Sequence, residues 1–105
     1  MIGCGTYAWD KTCAVSATGN GEEFVRRCVA YDVSAAMEYG GMALPEAVHN
    51  VIQRRMPEHN GGVITVTPQG ETCVDLNCSA LFRGVCDSTG RLSIGIFRQD
   101  EELIA

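Results

Sequence analysis

With 105 residues, the chain is large enough to bury the core of one domain, residues 1–105, but lies near the small end for a standalone enzyme. Its 13 acidic and 8 basic side chains give a net charge of −5 without a basic cluster, which argues against nucleic acid as a partner. No stretch approaches the roughly 18 apolar residues of a membrane-spanning helix, and the first residues lack signal-peptide features, so we expect a cytoplasmic protein without a membrane partner.

The first part of the chain predicts a β-hairpin that leads into a glycine turn. Two short strands, Gly5–Ala8 and Thr12–Ala17, flank the polar turn Trp9-Asp10-Lys11. The sequence Thr18-Gly19-Asn20-Gly21 follows and is typical of a strand-to-helix turn, because glycine permits a positive φ or a close approach and asparagine tolerates a similar conformation. We expect backbone N–H groups at this turn to be unpaired and accessible.

Unpaired amides at the start of a helix favour a negatively charged ligand, which is either a phosphate or the oxyanion of an acyl-transfer intermediate. Glu22 and Glu23 follow the turn at once, and no lysine accompanies it. Because two carboxylates repel a multiply charged anion, the sequence favours the oxyanion. The alternative is an ordinary glycine turn whose acidic residues complement the helix dipole.

The remaining pattern predicts two helices followed by strands. An amphipathic helix over Glu22–Glu38 is expected to end at Gly40 and Gly41, and a second helix to run from Pro45 to Arg55. The strands of an antiparallel meander are expected at Val63–Thr67, Thr72–Leu76 and Arg91–Phe97, with an irregular stretch before the last strand and a frayed tail at Asp100-Glu101-Glu102. This order predicts a layered α+β domain.

The six cysteines are expected to be free thiols, because no secretory signal accompanies them and several lie in apolar segments. A metal site could combine Cys73, Cys78 and Cys86 with His49 or His59. The spacing of these residues matches no standard zinc pattern, so we expect no metal and no cofactor.

Several motifs together resemble one enzyme family. Thr18-Gly19-Asn20-Gly21-Glu22, followed by Phe24-Val25-Arg26, is similar to a segment of the β-subunit in the plant-type L-asparaginase/isoaspartyl peptidase family of N-terminal-nucleophile hydrolases. Five further segments occur in the family's order, namely Gly3–Ala8, Glu38–Gly41, Gly61–Ile64, Asn77 with Phe82–Gly84, and Ile94–Phe97.

The resemblance implies a four-layer αββα sandwich, of which this chain would be the C-terminal part of a β-subunit. It implies hydrolysis of L-asparagine and β-aspartyl dipeptides by an N-terminal threonine that autoproteolysis of a precursor exposes, with its own α-amine as the base. Thr18 and Gly19 would be oxyanion-hole donors, and Gly21 would lie against the bound substrate. The implied assembly is a heterotetramer, a dimer of αβ units, without a cofactor.

The sequence also departs from the family pattern. It begins Met1-Ile2, and it contains neither the nucleophile segment Thr-Val-Gly-Ala nor the substrate-binding Arg-x-Gly-Asp segment. We therefore expect the isolated chain to be inactive without the α-subunit and the amino-terminal segment of the β-subunit. Two alternatives remain: a glycosylasparaginase-type amidase, since Thr-Gly-Asn-Gly also resembles its motif, and a non-catalytic binding or structural module with an uncovered sheet face.

Overall fold

The computed structural model describes residues 1–97 and 102–103 of the chain as two antiparallel sheets with helices on one face of the first. The first sheet has the strand order β1 (Thr6–Ala8), β2 (Ala14–Gly19), β3 (Gly61–Val66), β4 (Thr72–Leu76). The second sheet has the order β5 (Ala80–Cys86), β6 (Leu92–Phe97), β7 (Glu102–Leu103). The helices are α1 (Gly21–Arg27), α2 (Val29–Gly40) and α3 (Leu44–His49), which continues as a π-helical segment (Asn50–Arg55). This mixed content agrees with the predicted α+β class.

Alternation along the strands of the first sheet separates an inner from an outer face. Tyr7 and Val15 are paired in register on the inner face, and Val63 lies on the same face. Against them pack the apolar faces of the helices, including Phe24, Val29, Val33, Leu44, Val48 and Ile52, each at most 4% exposed. One continuous core therefore lies between the helices and this sheet.

The predicted single helix over Glu22–Glu38 is wrong, because the chain breaks at Cys28 in the left-handed conformation (φ 50°, ψ 50°). The break frees the first amides of α2 for acceptors outside the helix. The Ala30 N–H donates to the Cys4 carbonyl (3.1 Å) and the Tyr31 N–H to the Gly3 carbonyl (2.8 Å). Unpaired amides at a helix start need such partners, so the amino-terminal segment takes the place of a side-chain cap, which α2 does not have.

The ends of the predicted helices are confirmed. The longer helix ends at Gly40, and Gly41 is its left-handed cap (φ 66°). The second helix runs from Leu44 with Pro45 in its first turn, and its π-helical continuation stops at Arg55. Proline is favoured at a first-turn position because its missing N–H has no partner there in any case.

The stretch predicted to be irregular contains β5, so that prediction is wrong. β5 pairs with β6 around a bulge between Ala80 and Arg83, and the turn between the strands is held by Asp87, whose Oδ1 accepts bonds from the Thr89 and Arg91 N–H groups. β6 therefore does not extend the meander of β3 and β4 but belongs to the second sheet. Glu102, predicted as part of a frayed tail, begins β7, whereas Asp100 and Glu101 lie outside the described residues.

The outer face of the first sheet is not covered by a helix of the described chain. Exposed residues of this face include Ser16, Ile64 and Val66. A cavity of about 420 Å³ separates it from Gly84, Val85 and Cys86 of the second sheet. None of the helices in the described ranges has the length and apolar character to cross a lipid bilayer.

All six cysteines lie within the described residues, and each is a free thiol there. Cys73 on β4 packs against the core from the inner face. Burial, together with the neighbouring Asp75 and Glu71 carboxylates, raises the pKa of Cys73 to about 11.

We expect Cys73 to react slowly with iodoacetamide in the folded protein, since the thiolate is the reacting form. At pH 8 its thiolate fraction should be about 100-fold smaller than that of a thiol with the ordinary pKa of 9.0. Mass spectrometry of alkylated peptides should show exposed Cys28 and Cys86 modified first. In urea, Cys73 should react as fast as the others, and equal rates in the folded state would contradict the raised pKa.

Because the unfolded thiol ionises first as pH rises, this group should also lower the stability of the fold between its ordinary pKa and about 11.

Candidate functional site

The glycine turn at the end of β2 is shaped by a neighbouring strand. Gly19 has φ +142°, and a Cβ added there would lie 2.0 Å from the Asn60 carbonyl oxygen and 2.7 Å from the Gly61 Cα. Gly61 has φ +149°, and its Cβ would lie 2.1 Å from the Thr18 carbonyl oxygen. Since real Cβ contacts are not this short, two facing glycines allow β2 and β3 to approach each other here. We call this contact the glycine crossing.

The expectation of unpaired amides at the turn is wrong for Asn20. The Asn20 N–H donates to the Asn60 carbonyl at 2.7 Å, because the pairing of the two strands continues one residue past β2. Asn20 itself is extended (φ −72°) and not left-handed, and Gly21 begins α1 without a positive φ. Of Gly19 and Gly21, Gly19 is the one with a positive φ, a conformation that favours glycine.

The Gly19 N–H lies on the other edge of β2. The Ala17 N–H donates to the Gly5 carbonyl (2.9 Å), which lies just before β1. Because amides alternate between the two edges of a strand, the Gly19 N–H shares the edge of the Ala17 N–H, beyond the place where β1 begins.

The three residues predicted for the site line one cleft. Thr18, Gly19 and Gly21 share a cleft of about 300 Å³. Its other lining residues are Met1, Cys4, Gly5, Ala17, Phe24 and Val25. A Cβ at Gly21 would meet no atom of the described residues within 4 Å, so a bound molecule could approach this residue closely. Thr18 is exposed and does not cap α1, whose N-cap is Asn20 without a side-chain cap bond.

The charges near the cleft are partly compensated. Glu23 pairs with Arg27 (3.0 Å) and more loosely with Arg26 (3.6 Å), whereas no described ion pair involves Glu22. The repulsion that argues against a phosphate therefore comes mainly from Glu22. In the described part of the chain, the side chains that line the cleft include no carboxylate, imidazole, guanidinium or ammonium group. The polar side-chain groups that line the cleft are thus the Thr18 hydroxyl and the Cys4 thiol.

A metal site does not form among the described side chains. Cys73, Cys78 and Cys86 do not cluster with either histidine, and within residues 1–97 no three His, Cys, Asp or Glu side chains are placed to hold an ion.

The sequence reasoning missed two asparagines beside the glycine crossing. Asn60 lies opposite Asn20, and Asn77, noted above only as part of a motif, is 4% exposed and bonded to Asn60 and Gly61. An asparagine directly before Gly61-Gly62 at a strand start was the available signal.

Comparison with known sequences identifies the family. The sequence model of the asparaginase family, Asparaginase_2, matches residues 1–96. The chain belongs to the L-asparaginase/isoaspartyl peptidase family. This asparaginase-family chain is 43% identical over 97 residues to the "Probable isoaspartyl peptidase/L-asparaginase 2" of Arabidopsis thaliana, which covers 92% of the chain and 30% of that relative.

Two further relatives carry similar names. The "Isoaspartyl peptidase" of Escherichia coli K12 is 34% identical over 107 residues, covering 100% of the chain and 33% of the relative. The "Putative isoaspartyl peptidase/L-asparaginase" of Dictyostelium discoideum is 40% identical over 85 residues, covering 80% and 24% respectively. The asparaginase-family chain therefore spans a third or less of the length of these curated relatives.

Proposed function

We propose that this chain supplies the oxyanion-binding turn of an amidohydrolase that acts on L-asparagine and β-aspartyl dipeptides. The observation that carries the proposal is that Thr18, Gly19 and Gly21 line one cleft at the end of β2. Membership of the L-asparaginase/isoaspartyl peptidase family supports the substrate class, and the names of the relatives favour it over the glycosylated asparagine of a glycosylasparaginase.

In the proposed reaction, the hydroxyl of an N-terminal threonine outside this chain attacks the side-chain amide carbon of the substrate. The α-amine of that threonine accepts the hydroxyl proton. The negative charge then forming on the amide oxygen accepts hydrogen bonds from the Thr18 hydroxyl and the Gly19 N–H, as at other oxyanion holes. The α-ammonium then gives its proton to the leaving nitrogen, so that ammonia or the second amino acid of the dipeptide departs and an acyl-enzyme ester remains. Water hydrolyses this ester to release aspartate. Gly21 leaves room for the substrate, because its Cβ position is open.

The same proposal covers the rest of the assembly. The helices on one face of the first sheet and the second sheet across the cavity support the αββα sandwich that the family resemblance implies, of which they would form three layers. An α-subunit and the amino-terminal part of a β-subunit would add the nucleophile and the remaining layer, in a cytoplasmic dimer of αβ units. The 105 residues alone should show no turnover, because they contain neither the Thr-Val-Gly-Ala nucleophile segment nor the substrate-binding Arg-x-Gly-Asp segment.

Thr18→Val tests the proposal in the full-length polypeptide in which this sequence occurs. We expect kcat for a β-aspartyl dipeptide to fall by about 100- to 1,000-fold, since one oxyanion donor is lost. The fold should be unaffected, because Thr18 is exposed and valine has nearly the same shape. Released amino acid and circular dichroism would be measured together.

Ser16→Ala is the matched control, because Ser16 lies two residues earlier on the same face of β2 and does not line the cleft. It should keep the wild-type rate. An unchanged kcat in Thr18→Val would remove Thr18 from the oxyanion hole.

A further inference from the structure

The side chain of Asn77, which directly follows β4, makes four hydrogen bonds to backbone groups of other segments. Its Oδ1 accepts bonds from the N–H groups of two consecutive residues, Asn60 (3.0 Å) and Gly61 (3.0 Å). Its Nδ2 donates to the carbonyls of Ile52 (3.1 Å) and Pro57 (2.9 Å). All four bonding positions of the amide are therefore filled at a residue that is 4% exposed.

The backbone of Asn77 fixes the same segment. Its N–H donates to the Gly61 carbonyl (2.8 Å), and its carbonyl accepts from the His59 N–H (2.9 Å). His59 is held in the left-handed conformation (φ 64°), which is uncommon for a residue other than glycine. Asn77 thus binds the corner from His59 to Gly61 through both its backbone and its side chain.

Hydrogen bonds from this corner continue to the glycine turn at the end of β2. The Asn60 carbonyl accepts the Asn20 N–H (2.7 Å), and the Asn60 Oδ1 accepts from the Asn20 Nδ2 (3.1 Å). The Asn60 Nδ2 donates to the carbonyls of Pro57 (2.7 Å) and Glu58 (3.1 Å), which fixes the orientation of this side chain. At the glycine crossing, Gly61 lies directly against Thr18 and Gly19.

We propose that Asn77 and Asn60 are positioning residues for the oxyanion hole. They hold the corner before β3 against the end of β2 and so fix where the Thr18 hydroxyl and the Gly19 N–H lie. Neither residue lines the cleft, so both act through the backbone of the turn. The catalytic consequence rests on the proposed function, whereas the effect on the geometry of the turn does not. Oxyanion donors must lie within a few tenths of an ångström of their required places, and a misplacement of about 1 Å can lower a rate about 100-fold.

The kinetic test compares Asn77 variants in the full-length polypeptide. Asn77→Ala should lower kcat for a β-aspartyl dipeptide by about 10- to 100-fold with KM changed by less than about threefold, because binding groups remain while donors move. Asn77→Asp keeps the acceptor for the Asn60 and Gly61 amides and should recover most of the lost kcat. A purely structural role predicts no such recovery, since aspartate also loses both Nδ2 bonds.

Gln53→Ala is the matched control for lost hydrogen bonds. The Gln53 Nε2 donates to the Asp75 Oδ1 (2.7 Å) and to the carbonyl of Leu76, the residue before Asn77 (2.8 Å). This variant should lower stability but keep kcat at temperatures where it is folded. If Asn77→Ala does not fold, Asn60→Ala replaces it, since Asn60 is only partly buried and the bonds between Asn77 and the backbone remain. A loss of kcat as large in Gln53→Ala as in the asparagine variants would overturn the proposal.

Hydrogen exchange gives a readout that does not depend on activity. The Asn20 amide, which donates to the Asn60 carbonyl, should exchange at least about tenfold faster in Asn77→Ala and Asn60→Ala than in the wild type or in Gln53→Ala. If the wild type hydrolyses no asparagine or β-aspartyl substrate but the exchange result holds, the proposed function fails and the positioning of the turn stands. Exchange unchanged in both asparagine variants would overturn the positioning inference whatever the activity.

Discussion

Gly61→Ala is expected to destabilise the fold by about 2–6 kcal/mol, as the sum of overpacking and of strain at a backbone conformation that alanine rarely adopts. The new Cβ would lie 2.1 Å from the Thr18 carbonyl oxygen and 2.8 Å from the Gly19 Cα. These are backbone atoms of a paired strand, which cannot rotate away as a side chain can. β2 and β3 must therefore separate at the glycine crossing, and the oxyanion turn moves with them.

The measurement is the midpoint of urea unfolding, with hydrolysis of a β-aspartyl dipeptide as a second readout. Gly84→Ala is the control, because Gly84 also lies in a strand, and the one atom of residues 1–97 that its Cβ would meet is the Ser93 carbonyl oxygen, at 3.8 Å. It should change stability by less than about 1 kcal/mol. Activity in Gly61→Ala should fall further than in Thr18→Val, since both proposed donors are displaced. Equal unfolding midpoints for the two alanine variants would show that β2 and β3 can separate at the glycine crossing without loss of stability.

Ile52→Ala is the second large effect, with an expected loss of about 2–5 kcal/mol in the free energy of unfolding. Ile52 lies in the π-helical segment and is completely buried in the core between the helices and the first sheet. Alanine removes the apolar contacts of the side chain and leaves a cavity that rigid neighbours only partly fill. The backbone carbonyl that accepts a bond from Asn77 is retained, so the loss reports on packing alone.

Ile2→Ala provides the same chemical change at the surface, because Ile2 is 86% exposed. Its effect should stay within about 0.5 kcal/mol. Urea unfolding of the two variants gives the comparison directly. A loss below about 1 kcal/mol in Ile52→Ala would mean that the core can collapse around the smaller side chain.

The parts of the fold that local sequence determines were predictable. Gly41 ends α2 because a left-handed cap suits glycine, and Pro45 opens the next helix because its φ and missing N–H fit there. The break at Cys28 was not predictable, since apolar periodicity continues across it and the acceptors of the first α2 amides, the Gly3 and Cys4 carbonyls, lie far from it in the sequence. β5 was missed because a bulge after Ala80 interrupts its pattern.

The site shows the same division between local and distant causes. The sequence Thr18-Gly19-Asn20-Gly21 pointed to a strand-to-helix turn, and the structure has one there. It did not show which amides are free, because the partner of the Asn20 N–H is Asn60, which is far along the chain. The sequence suggested that the turn requires glycine at position 19. The structure adds a second reason, because a Cβ at this position would clash with the backbone of the neighbouring strand. A turn motif can be read locally, but the contacts that fix it depend on the fold.

The glycine crossing also limits how this protein can vary in evolution. A clash between two side chains can be relieved by a smaller partner, so such positions can change in compensating pairs. At Gly19 and Gly61 the atoms that a Cβ would meet are mainly backbone atoms, which every substitution retains. No second mutation in either strand can remove them. A substitution at one glycine therefore cannot be compensated by a substitution at the other, and each position must remain glycine on its own account.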